Sequence, residues 1–197
     1  MRNAITPAAF ESPPPAAPAP VVATMLLIGG DLMLFAGLIF AFWVLRLAAP
    51  VWPPPLQPRL PIAVTTANTV VLLASSATMV AATLALERGR SAELAGRLGL
   101  SALLGGSFVA VQGYEWARLV GFGLTVSSGI YGALFYTLVG AHALHVLAAL
   151  VWLGVTAVGA ARGRFAHGGL VQVQACALYW HFVVALWPLL YVSVYLA

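Results

Sequence analysis

The stretch Tyr131–Trp152, YGALFYTLVGAHALHVLAALVW, decides the fold. As a helix rising 1.5 Å per residue it covers about 33 Å, enough to cross the hydrocarbon core of a bilayer. His142 and His145 stand three residues apart near its middle, so their side chains leave one face. Ionisable groups at that depth are costly, and by default they are functional or structurally paired.

Composition extends this reading to the whole chain. Of 197 residues, 62% are hydrophobic and 7% charged, against about 25% charged in a soluble domain. The expectation is an all-α integral membrane bundle. Lysine is absent, so the nine basic residues are arginines. The net charge of +4 therefore reports topology and not nucleic-acid binding. The single cysteine, Cys176, sits in an apolar run. It excludes a disulfide framework or thiolate metal cluster and reads as a small buried hydrophobe. Residues 1–20 hold six prolines and no apolar run. They read as a disordered Pro/Ala-rich tail and not as a signal peptide.

Five stretches are long and apolar enough to span: 21–47, 62–86, 97–117, 129–160 and 170–197. Together they make residues 21–197 one five-helix transmembrane domain. The connections are short. Residues 48–61 hold six prolines, a stiff polyproline-like link; 87–96 are charged, 118–128 glycine-rich and 161–169 basic. Alternating crossings put Arg2, Arg88, Arg90, Arg97, Arg162 and Arg164 on one side, and Arg46, Arg59 and Arg118 on the other. The positive-inside rule then predicts a cytoplasmic N-terminus and a periplasmic C-terminus.

The polar residues inside these spans are the candidate sites. Asp31 is the one charged residue within GGDLMLFAGLIFAFW. An aspartate at the bilayer centre costs about 2.5–3.5 kcal/mol, so it must face protein, headgroup or water, or carry a proton. Its two readings are a carboxyl bonded to a neighbouring helix, and a proton- or lipid-linked role. Asn68, Ser75, Ser76 and Thr78 lie among alanines, the pattern of a close-packing membrane helix. Gln112 and Glu115 share a face near the end of the third helix, and Glu115 is in reach of Arg118. His142, His145 and His181 fall at similar depth, which suits either a metal or haem site or a hydrogen-bonded packing network. A bis-histidine haem needs ligands from opposite sides of its ring, and one His181 cannot supply two such pairs, so packing is the expected role. Pro188 predicts a kink in the fifth helix, with the carbonyl of Val184 freed. No interrupted helix pair or inverted repeat marks a transporter.

With those residues in view, the chain resembles the cytochrome c oxidase subunit III family of the haem–copper terminal oxidases. GGDLMLFAGLIFAFW is similar to the family's carboxylate-bearing helix, with Asp31 where glutamate is usual. VWPPP resembles the tryptophan–proline link that follows, NTVVLLASSAT its asparagine and double-serine helix, and QGYEW its glutamine-to-glutamate helix end. GIYGALFYTLVGAHALHV and YWHFV resemble its two most specific signatures. Larger members have two helices before the carboxylate helix, so the resemblance is to the short five-helix bacterial form. Val184 stands where the family usually has aspartate, which removes one expected polar link.

The resemblance implies an accessory, non-redox subunit of a respiratory oxidase in a bacterial inner membrane. It implies a cytochrome c or quinol oxidase complex in which haem and copper sit in partner subunits, beside catalytic subunit I. In this chain it implies no catalytic residue and no metal ligand. Asp31 becomes the proton- or lipid-linked carboxylate, and Asn68, Gln112, Glu115, His142, His145 and His181 the buried polar packing network. Bound phospholipid is a further implied partner. Two rivals share the sequence features: a subunit III-like partner of a nitric oxide reductase, and a haem-binding membrane anchor.

Overall fold

The computed structural model describes residues 18–55, 57–165 and 169–196; most of the expected tail, residues 1–17, lies outside them. Five helices follow in order: α1 (Ala19–Ala48), α2 (Ile62–Glu87), α3 (Ser91–Gly121), α4 (Ile130–Ala161) and α5 (Leu170–Tyr191). A π-helical turn, Val192–Leu196, continues α5. All five are long and apolar enough to cross a membrane, and no strand occurs among the described residues.

The helix ends follow local chemistry. At the end of α2 the Gly89 N–H bonds to Leu86 O and the Arg90 N–H to Ala85 O. Around Gly123 the same pair of bonds closes α3, to Val120 O and Leu119 O. Both glycines adopt positive φ, 72° and 90°, the left-handed conformation this cap requires and a side chain disfavours. Glycine past the last turn therefore ends each helix while satisfying its orphan carbonyls.

The third helix departs from expectation at both ends. It starts at Ser91, not Arg97, and runs to Gly121 rather than residue 117. The charged segment 91–96 is helical because its charges are paired along the helix. Glu93 bonds Arg90 at 3.1 Å and also pairs with Arg97, one turn on. Arg97 Nη1 in turn donates to Ala81 O of α2 at 2.8 Å. A carboxylate in the first turn also complements the helix dipole. At the other end of the chain, Pro188 does not end α5. The helix continues to Tyr191 and then widens into the π-helical turn.

α2, α3, α4 and α5 form a closed ring of neighbours, and α1 lies outside it against α5 and α4. α5 is the most buried element, with Val183, Val184, Trp180 and Trp187 all inside the core. Lipid supplies no hydrophobic drive for helices to associate, so close packing and interhelical hydrogen bonds must do it. Gly105 shows how. Its missing Cβ leaves the space filled by the Trp180 indole, whose Cζ2 lies 2.7 Å from where that Cβ would stand. The seam between α2 and α5 is bonded as well. Thr66 and Tyr191 hydroxyls meet at 2.6 Å, Trp187 Nε1 donates to Thr69 Oγ1 at 2.8 Å, and Ser76 meets His181 at 2.6 Å. Rising numbers on one helix match falling numbers on the other, so the pair is antiparallel.

Candidate functional site

Three helices meet at Asp31. The carboxylate is 8% exposed. Oδ2 accepts a hydrogen bond from the Tyr179 hydroxyl of α5 at 3.1 Å, and Oδ1 lies 3.4 Å from His145 Nε2 of α4. Phe35, one turn along α1, packs edge-on against the His145 ring at 5.1 Å between centroids. Trp152 covers Tyr179 with ring centroids 5.9 Å apart. A carboxylate in an apolar wall is thereby held between a hydroxyl and an imidazole.

The imidazole geometry constrains the protons. His145 Nδ1 lies 2.7 Å from the Ala141 carbonyl. A carbonyl only accepts, so Nδ1 carries a proton. Nε2 then faces Asp31 Oδ1 with a second proton between them, on the carboxyl or on the ring. Without it, two lone pairs would oppose each other. Asp31 and His145 thus form a unit able to hold one exchangeable proton, with Tyr179 fixing the carboxyl from the other side.

The other candidate residues are not drawn into this cluster. Asn68 Nδ2 donates to Phe108 O at 2.9 Å, tying α2 to α3. Gln112 Nε2 donates to the Tyr195 hydroxyl at 2.8 Å. Glu115 is 5% exposed and accepts from Arg118 Nη1 at 3.3 Å, while Arg118 itself reaches the surface. His181 bonds Ser76 on the opposite side of α5 from Asp31's partner Tyr179. His142 is 1% exposed, stacks on Trp187 at 5.1 Å, and has no hydrogen-bond partner on either ring nitrogen among the described residues. The three histidines therefore have three different environments and do not form one network. Among the described residues no group of three His, Cys, Asp or Glu side chains is placed to hold a metal ion.

Two participants, Tyr179 and Tyr195, are not singled out by the sequence reading. A signal for both exists, because a tyrosine inside a spanning helix needs a partner for its hydroxyl. Val184, at the position of the missing aspartate, is 2% exposed and packs in the apolar core.

Five spanning helices around a buried carboxylate–histidine pair define a multi-pass membrane protein of helix-bundle type. Comparison with known proteins narrows the class. Residues 21–197 match the family model of cytochrome c oxidase subunit III. The chain is 35% identical over 176 residues to the "Probable cytochrome c oxidase subunit 3" of Nocardia farcinica, which covers 88% of this chain and 86% of that protein. It is 33% identical to cytochrome c oxidase subunit 3 of Synechocystis, over 87% of this chain and 73% of the relative. The Bacillus subtilis protein of that name is 31% identical, over 87% and 83%. The chain belongs to the cytochrome c oxidase subunit III family.

Proposed function

We propose that this protein is an accessory subunit of a haem–copper oxidase, packed beside the catalytic subunit that reduces oxygen to water and pumps protons. The observation that carries this is family membership across the whole five-helix region, 21–197. Haem and copper belong to the partner subunits in this reading, and the chain itself performs no redox step. Its setting is a bacterial inner membrane, with the N-terminus in the cytoplasm and the C-terminus outside. The arginine distribution supports that orientation.

Within the complex Asp31 is the functional carboxylate. Its pairing with His145 and Tyr179 supports a proton-linked role in uptake and in protecting the catalytic core during turnover. Asn68, Gln112, Glu115, His142 and His181 serve helix packing and the contact with the catalytic subunit, and phospholipids cover the remaining apolar faces.

The test is purification from native membranes in mild detergent, followed by identification of the co-purifying chains and a visible spectrum. The expected result is a catalytic oxidase subunit carrying haem and copper, and no haem band from this chain alone. Recovery with the catalytic subunit of a nitric oxide reductase, or a haem band from the isolated chain, would overturn the proposal.

A further inference from the structure

A cavity of about 210 Å³ opens between α3 and α4. Gly113 and Leu147 at its mouth are exposed on the bilayer side. Phe108, Ala143 and Val146 form its walls, and His142 and Trp187 its inner end. An apolar cavity of roughly 150 Å³ accommodates benzene, so this one has room for one substituted ring.

The inner end is unusual for such a space. Both nitrogens of the buried His142 lack a hydrogen-bond partner among the described residues, and so does the buried Trp116 indole N–H that lines the same cavity. A buried polar group left unpaired costs about 1–3 kcal/mol, and nearly all such groups in folded proteins are paired. An imidazole always presents at least one N–H donor. Trp187 stacks on one face of the His142 ring, and Phe35 meets its edge at 6.4 Å, so the ring is held in place. A phospholipid acyl chain has no polar atom at that depth and would leave every one of these groups unpaired. A flat ring with a carbonyl would pair them and stack among the aromatic walls.

We propose that the α3–α4 cavity is a binding site for a single-ring, membrane-dissolved molecule bearing carbonyl or hydroxyl groups, of the quinone or phenol class, with His142 as its hydrogen-bond partner. The ligand enters from the bilayer past Gly113, and only the ring fits inside.

The test uses two probes of one shape, duroquinone and durene, which differ by the two carbonyls. Saturable binding to the purified complex is measured by tryptophan fluorescence quenching and by competition. Duroquinone is expected to bind about tenfold more tightly than durene, the effect of one buried hydrogen bond. His142→Phe should abolish that preference while durene binding persists, and His142→Gln should restore part of it. Gly113→Leu should weaken both probes at least about tenfold; a Cβ there meets no atom within 4 Å, so the fold tolerates it. Equal affinity for the two probes in the wild type identifies an apolar lipid crevice and overturns the proposal. No saturable binding, or binding indifferent to Gly113→Leu, overturns it equally.

Discussion

His145 Nε2 stands 3.4 Å from Asp31 Oδ1, across the contact between α4 and α1. α1 buries only four residues, Thr24, Asp31, Phe35 and Phe42. Much of what holds this outer helix in place is therefore polar. The same contact supplies the exchangeable proton assigned to Asp31, so docking of α1 and the chemistry of the site share their atoms.

Asp31→Ala leaves the Tyr179 hydroxyl and His145 Nε2 without their partner. The expected loss of stability is about 1–3 kcal/mol, confined to the outer helix, so the complex still assembles. Proton uptake slows and the active lifetime shortens. Oxygen consumption and proton uptake followed over many turnovers check this, and unchanged kinetics would remove the proton-linked role.

Ser76 and His181 couple α2 to α5 through one hydrogen bond. In a double-mutant cycle of Ser76→Ala and His181→Phe, the coupling energy is expected at about 0.6–1.7 kcal/mol, the range for interhelical bonds in membranes. Reversible unfolding in mixed micelles measures it. His181→Ala and His142→Ala are also expected to lower the yield of catalytic subunit recovered with this chain. Loss of a visible absorption band from the isolated chain in either variant would replace packing with haem ligation.

Gly105→Ala drives a methyl group into the Trp180 indole and to within 3.1 Å of Leu150 Cδ2. Overpacking of this kind costs about 1–3 kcal/mol. Gly113→Ala lies on the same helix with open space around it and is expected to be near neutral. Midpoints of thermal unfolding for the two variants should separate accordingly.

Thr69→Val removes the acceptor for the buried Trp187 indole N–H while keeping the side chain's shape. An orphaned donor inside the core is expected to cost about 1–3 kcal/mol. The more conservative Thr69→Ser should retain most of the stability, which distinguishes the bond from simple packing.

Helix number is legible in the amino-acid sequence, because bilayer thickness sets one length for every crossing and apolar runs declare themselves locally. The caps at Gly89 and Gly123 are equally local. The third helix starts earlier than its apolar run because the pairing of Glu93 with Arg90 and Arg97 turns a charged segment, expected to be a loop, into a helical turn. The candidate residues are also visible, since a polar side chain stands out in an apolar span. Their partners are not. A span that is apolar all round does not reveal which way each face turns, because the amphipathic stripe that orients a soluble helix is missing. Sequence alone thus determined the five crossings, the family and the buried polar residues. Only the tertiary structure decided that Asp31 meets His145 and Tyr179, that His181 turns away to Ser76, and that His142 faces a cavity unpaired. Those outcomes depend on how each helix is rotated against neighbours distant in the chain, and no local pattern encodes that rotation.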